Sequence, residues 1–96
     1  MSGLEKIKQH RDQILDLARK NGANHVRVFG SVVRSEDQPE SDVDFLVTML
    51  PGHDLLDMVE LSRALEELLH QKADVVSDEE VSLYLKDRIF EEAVAV

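Results

Sequence analysis

Two stretches decide the fold: Phe-Gly-Ser-Val-Val-Arg at residues 29–34, and Ser-Asp-Val-Asp-Phe-Leu-Val at residues 41–47. The first ends a short β-branched run with a Gly-Ser break, and the second begins with two acids and continues as an apolar strand. Ten residues separate Ser31 from Asp42, enough for a loop that returns the chain to a neighbouring strand. We therefore expect two strands side by side, with the Gly-Ser break next to the acidic pair.

On both sides of these two stretches, the spacing of apolar residues predicts further helices, strands and turns. We expect helices over residues 4–20, 55–71 and 81–93, the last interrupted near Asp87, with helix caps at Asp54 and at Ser77 with Glu80. Strands are expected over 25–29, 43–49, 73–76 and 93–96. Between them we expect a helical turn over 32–35 opening at Ser31, a loop over 36–41 and a turn at 51–52. This order predicts one α/β (α+β) domain, a small mixed sheet of three or four strands flanked by helices.

The acidic pair, Asp42 and Asp44, indicates a metal site. Side chains alternate along a strand, so both carboxylates share one face, about 7 Å apart at ~3.3 Å per residue. Two carboxylates that repel each other do not stabilise a strand. A divalent cation such as Mg²⁺, which prefers carboxylate and phosphate oxygens, would relieve that repulsion. The competing interpretation, for an isolated Asp-x-Asp, is a turn or a solvated face.

The Gly30-Ser31 pair indicates a phosphate site. A strand that ends in Gly lets the backbone approach a ligand, and a turn that then opens a helix presents N–H groups and a hydroxyl. Phosphate cradle and metal carboxylates side by side are what a nucleoside triphosphate with Mg²⁺ requires.

Asp74, in the Ala-Asp-Val-Val run at residues 73–76, is the candidate third acid. If its strand lies beside the Asp42 strand, two metal ions about 4 Å apart could activate a hydroxyl and stabilise a leaving group. Asp74 is then the candidate general base, although it could equally serve only as a ligand. Without such a neighbour it is an ordinary acid at a strand edge.

The composition narrows the class of partner and the compartment. The 96 residues carry a formal net charge of −9, which disfavours a phosphate backbone as partner and would steer a basic protein towards the chain, unless the charge serves solubility alone. There is no Cys, so disulfides and thiolate metal sites are excluded. With no signal-peptide pattern and no apolar run near the ~20 residues of a membrane span, we expect a cytoplasmic protein.

The Gly-Ser pair, the Arg that follows at position 34 and the Ser-Asp-x-Asp-x-x-Val run together resemble the signature of the minimal nucleotidyltransferase (MNT) family, in the polymerase-beta-like superfamily. The resemblance covers roughly residues 4–95 and implies that residues 1–96 form a single nucleotidyltransferase domain with a minimal polymerase-beta-like palm. It implies that Asp42, Asp44 and Asp74 bind Mg²⁺, in two ions, and catalyse transfer. It also implies that Gly30, Ser31 and Arg34 hold the triphosphate of ATP.

The resemblance further implies a role. Stand-alone members are typically antitoxins paired with a HEPN-domain ribonuclease toxin, which they neutralise by transferring AMP from ATP-Mg²⁺ to a tyrosine hydroxyl. An alternative is a non-catalytic antitoxin that neutralises its partner by binding alone. Transfer to a small molecule is disfavoured because 96 residues leave no room for an acceptor domain.

Overall fold

The computed structural model describes residues 3–34, 42–83 and 87–96. Its elements are α1 (Gly3–Gln9), α2 (Arg11–Lys20), β1 (Ala23–Phe29), a 3-10 turn (Gly30–Val32), β2 (Val43–Met49), α3 (Leu55–Leu69), β3 (Ala73–Ser77), α4 (Asp78–Leu83), α5 (Asp87–Glu92) and β4 (Val94–Ala95). The predicted loop over 36–41 lies outside the described residues.

The four strands form one mixed sheet in the order β3-β2-β1-β4. β1 runs antiparallel to β2 and to β4, whereas β2 and β3 are parallel and are joined through α3. This confirms the expected small mixed sheet flanked by helices. Among the strands of the described ranges, β3 lies at one edge of the sheet, next to β2.

The main core lies between one face of the sheet and the helices α2 and α3. Strand β2 contributes Val43, Phe45 and Val47, which are buried to 1% exposure or less. The helices supply residues at helical spacing, which face the sheet as amphipathic helices do; they are Ile14, Ala18, Leu61, Leu65 and Leu69.

The opposite face of the sheet is covered by the C-terminal segment. Thr48 donates a hydrogen bond to Asp78 across 2.5 Å, and the Arg27 guanidinium lies 3.6 Å from the same carboxylate. The Arg27 guanidinium also lies 5.9 Å from the centre of the Phe90 ring, a cation–π geometry. Val96 donates from its backbone N–H to the Val26 carbonyl at 3.1 Å. Asp78 and Phe90 thus contact the face that α2 and α3 leave open, whereas Val96 joins the edge of β1 and the main core.

The predicted helix over 4–20 is wrong in one respect, because it divides at His10. That residue has φ −100° and ψ 16°, and its N–H reaches the Ile7 carbonyl at 3.1 Å, in the tighter 3-10 pattern. Its ring Nδ1 lies 2.9 Å from the Lys6 carbonyl. Both halves keep their apolar residues on the core side, with Ile7 and Ile14 buried, so the apolar spacing alone could not reveal the break.

Smaller corrections concern the ends of elements. β1 begins at Ala23 and contains an irregularity with His25 at φ 49°. The 3-10 turn opens at Gly30, one residue before the predicted start. α3 ends at Leu69 because His70 adopts the left-handed conformation, φ 53°.

Both predicted helix caps are present. The side chain of Asp54 accepts from the Leu56 N–H at 3.0 Å, and that of Ser77 accepts from the Glu80 N–H at 3.1 Å. β4 is the short C-terminal edge strand that the sequence predicted. Within the described ranges, none of the helices has the length and apolarity that crossing a lipid bilayer requires.

Candidate active site

The bend after β1 brings backbone and carboxylate into contact. Phe29, the last residue of β1, is paired with Asp44, so the next residue, Gly30, lies against the Asp44 side chain. Gly30 has φ +82°, and a Cβ there would lie 2.5 Å from Asp44 Oδ2. Only glycine combines that backbone conformation with so close an approach.

The two parallel strands place two of the predicted acids side by side. In the β2–β3 register Asp44 is paired with Asp74, so their side chains leave the same face of the sheet about 5 Å apart at the backbone. Asp42 is exposed, immediately before β2, two residues from Asp44. The three acids that the sequence singled out therefore gather where β2 and β3 begin.

The start of β3 is fixed by side chains of α3. Ser62 donates to the carbonyl of Ala73 at 2.5 Å, and the Ala73 N–H donates to Glu66 Oε2 at 3.0 Å. The Val43 N–H donates to the Lys72 carbonyl at 2.8 Å, which joins β2 to the same point. These bonds set the backbone of the residue next to Asp74 and hence the register of the acids.

Asp44 is the electrostatic centre of this cluster. Burial raises its pKa from 3.8 to about 6, and the negative charges of Asp74, Asp42 and Glu92 act in the same direction, opposed by Arg34. Burial first, and the neighbouring carboxylates second, thus disfavour the charged form of Asp44 and raise its pKa. A cation or a protonated state at this position would relieve the repulsion.

Glu92, at the end of α5, is the site residue that sequence reasoning missed. Its Oε2 accepts from the Gly30 N–H at 3.1 Å, and its Oε1 lies 2.5 Å from Arg34 Nη1. An anionic group thus lies between a backbone N–H and a guanidinium that the sequence assigned to a phosphate. No sequence signal marks Glu92 among 20 acidic residues, because its contact spans 62 positions and depends on the fold of the C-terminal segment.

The acids fit a metal in chemistry and placement, without forming a finished shell. Within residues 3–34, 42–83 and 87–96, no three His, Cys, Asp or Glu side chains stand in a ready coordination geometry. The pairing of β2 with β3 nevertheless places the side-chain carboxylates of Asp44 and Asp74 at neighbouring positions. Carboxylate oxygens are the ligands that Mg²⁺ prefers. Ser31 is partly buried in the 3-10 turn beside them. The roles of Asp42, Asp44, Asp74, Gly30, Ser31 and Arg34 remain predictions.

Replacing Asp44 with Asn tests the electrostatics of the cluster through stability. Because the folded-state pKa of Asp44 is raised to about 6, the folded protein binds the proton more tightly than the unfolded chain, and wild-type stability falls as pH rises through about 4 to 6. In EDTA above pH 6, Asp44→Asn should unfold at a higher urea concentration than wild type. The free energy of unfolding should be larger by about 1 kcal/mol, once screening of the partly exposed carboxylate by solvent is allowed for. Below pH 4 the two proteins should coincide. A constant difference across pH 3 to 8 would contradict the assignment.

Comparison with known families agrees with this geometry. Residues 12–96 match the family described as polymerase beta, nucleotidyltransferase. A Methanocaldococcus jannaschii protein, provisionally named a protein adenylyltransferase, is 39% identical over 90 residues, which cover 94% of this chain and 97% of the relative.

Solved structures share the fold. A chain provisionally described as a minimal nucleotidyltransferase superposes with a TM-score of 0.85 at 40% identity, covering 100% of this chain and 97% of its own. A toxin–antitoxin crystal structure with AMP-PNP superposes with a TM-score of 0.74 at 23% identity, covering 88% and 69%, a likeness of fold alone. Together with the family match, these similarities show that the chain belongs to the polymerase-beta-type nucleotidyltransferases and is an enzyme of that class.

Proposed function

We propose that this protein is an antitoxin that transfers AMP from ATP, with Mg²⁺, to a tyrosine hydroxyl of a HEPN-domain ribonuclease toxin and thereby neutralises it. The observation that carries the proposal is the gathering of Asp42, Asp44 and Asp74 beside the Gly30 bend. A nucleotide-transferring enzyme needs acids for its cations and a backbone bend for its phosphates, and here both lie at one end of the sheet.

The triphosphate of ATP would be held by the residues of the bend. The Gly30 N–H and the Arg34 guanidinium are already bonded to the carboxylate oxygens of Glu92, which supports their fitness for anionic oxygens. The side chain of Arg34 is 49% exposed, so its guanidinium has room to turn towards a bound phosphate. Ser31 adds a hydroxyl in the 3-10 turn, where the first backbone N–H groups of a helical turn favour anions.

Magnesium would be held by Asp42 and Asp44, with Asp74 as a further ligand for a second ion. When bound, the ions would neutralise charge on the phosphates and polarise the reacting oxygens. The carboxylates that surround the half-buried Asp44 support this assignment, because a cation would balance their negative charge.

The transfer itself exchanges one phosphorus–oxygen bond for another. The tyrosine oxygen attacks the α-phosphorus and forms a new P–O bond, while the bond from the α-phosphorus to the bridging oxygen breaks and pyrophosphate leaves with that electron pair. The hydroxyl proton passes to a carboxylate of the site. Asp74 is the candidate base, because it is exposed and lies beside Asp44 without being required for the triphosphate.

A protein acceptor is favoured by the relatives and by charge. The similar Methanocaldococcus jannaschii protein carries a protein adenylyltransferase name, and the fold recurs in a toxin–antitoxin complex with an ATP analogue. The net charge of −9 would steer a basic protein partner towards the chain. The proposed setting is the cytoplasm, where ATP and a ribonuclease toxin meet.

The decisive experiment separates transfer from binding. Wild type, incubated with ATP, Mg²⁺ and the proposed HEPN-domain partner, should add AMP to a tyrosine, as read by intact mass and peptide fragmentation. The double variant Asp42→Asn with Asp44→Asn should still bind the partner, yet add no AMP and leave the ribonuclease active. If the double variant still silences the ribonuclease, neutralisation is by contact and the alternative of a non-catalytic antitoxin is correct.

Substitution of Asp74 by Asn should separate proton transfer from nucleotide binding. We expect the rate of AMP transfer to fall about 10²–10⁴-fold, the usual contribution of a positioned base, while the affinity for ATP-Mg²⁺ changes only a few-fold. Single-turnover rates and titration calorimetry measure the two quantities. Equal losses in both would instead make Asp74 a metal ligand only.

Glu92 should compete with the triphosphate for its binding groups. Glu92→Gln removes the charge that lies on Arg34 and the Gly30 N–H, so ATP-Mg²⁺ should bind about twofold to fivefold more tightly, within the range for partly exposed ion pairs. The matched control is Glu91→Gln, which makes the same change of charge on an exposed neighbour and should leave the affinity unchanged. Weaker binding by Glu92→Gln would mean that Glu92 supports the cradle rather than occupying it.

A further inference from the structure

Large apolar side chains are exposed in one region of the described chain, around the beginning of α3. Leu55 and Leu56 are 71% and 72% exposed, and Leu50 and Val59 are 40% and 41% exposed. The capped end of α3 holds them in place, because Asp54 caps the helix with a hydrogen bond to the Leu56 N–H. An ordered, exposed apolar cluster on a strongly charged protein indicates a contact surface.

Only part of this cluster continues into a groove. A groove of about 300 Å³ runs between α3 and the edge of the sheet; it is lined by Leu55, Met58, Val59, Arg63, Val75 and Asp74, among others. Leu55 and Val59 are four residues apart and so share the helix face that borders it. Leu56, equally exposed, is not among the lining residues. The apolar surface of α3 is thus continuous with one of the three acids of the candidate active site.

The position of β3 explains how a groove on the helix side reaches the acids. β3 is the edge strand, and its Val75 packs towards the core beneath α3. Side chains alternate, so Asp74 leaves the opposite face, the face that carries Asp44. A ligand lying along this edge can therefore contact α3 with one part and reach the acids with another.

Two of the polar groups inside the groove are already engaged with the backbone of Ala73. Ser62 Oγ donates to the Ala73 carbonyl, and Glu66 Oε2 accepts from the Ala73 N–H. A ligand therefore meets apolar surface along α3, the Arg63 side chain and the carboxylate of Asp74. The apolar part of this lining suits an apolar segment whose hydroxyl-bearing residue lies at Asp74.

We propose that this groove binds the acceptor protein: an apolar segment beside the acceptor hydroxyl packs on Leu55, Met58, Val59 and Val75, and the hydroxyl is thereby delivered to Asp74. This deepens the proposed function and rests on it for the identity of the acceptor. The occupant is a basic protein, because a surface with net charge −9 repels acidic ones. A volume of about 300 Å³ accommodates an aromatic side chain with one neighbouring residue.

The test compares two adjacent leucines of equal exposure. Leu55→Ser removes an apolar contact from the groove, and Leu56→Ser removes one from the adjoining surface, with the same change of composition and helix propensity. For the HEPN-domain partner, Leu55→Ser should raise both the equilibrium Kd without ATP and the KM for AMP transfer about tenfold. Leu56→Ser should change each less than twofold. For both variants the Kd for ATP-Mg²⁺ should match wild type, and thermal unfolding confirms that they are folded.

Each outcome decides one of the two proposals. Equal effects of both substitutions, or no effect of either, overturn the groove as the acceptor site. If Leu55→Ser selectively loses partner binding and wild type adds no AMP, the groove is supported as the partner site and AMP transfer is overturned as the proposed function. Val59→Ser, at the next position of the same helix face, must reproduce Leu55→Ser; a wild-type affinity would contradict the proposal.

Discussion

The parallel pairing of β2 with β3 is the constraint on which the site depends. It sets Asp44 opposite Asp74 and so places two carboxylates at adjacent positions of one sheet face. A shift of β3 by one residue would turn Asp74 towards α3 and bury a charge in the core. Two hydrogen bonds oppose that shift: Ser62 donates to the Ala73 carbonyl, and the Ala73 N–H donates to Glu66. They hold in place a cluster whose own electrostatics favour separation.

That electrostatic conflict is a property of the site rather than a defect of the fold. Asp44 is partly buried among other carboxylates, and its pKa of about 6 records the free energy stored there. Gly30 lets the chain pass so close to this carboxylate that any other residue would displace it. The close contact at Gly30 and the repulsion among the carboxylates both lie at one end of the sheet. The apolar packing of β2 against α2 and α3 contributes the free energy that offsets them.

The sequence predicted those parts of the molecule that depend on local pattern. Strand β2 was predicted with its observed limits, and the caps at Asp54 and Ser77 follow from side chains acting on their own neighbours. The prediction that the Asp74 strand lies beside the Asp44 strand holds, because β2 and β3 are parallel and pair Asp44 with Asp74; the roles of the three acids stay predictions. The break at His10 escaped prediction, since Ile7 and Ile14 remain in helical phase across it. Glu92 escaped it for another reason: its role is created by a contact 62 positions away, and no local pattern encodes that distance.

Two of the features that sequence reasoning missed share one origin, because both lie where the ends of the fold meet the site. Glu92 reaches the Gly30 bend because Val94–Ala95 pairs with β1 and returns α5 to the acidic face of the sheet. The groove reaches Asp74 because β3 is left without a further strand at its outer edge. The Gly30 bend is thus occupied by the side-chain carboxylate of Glu92, whereas the groove beside Asp74 is open. If the proposed function is correct, the nucleotide would have to displace the Glu92 carboxylate from Gly30 and Arg34 in order to bind, whereas the acceptor protein would meet a surface that is already formed.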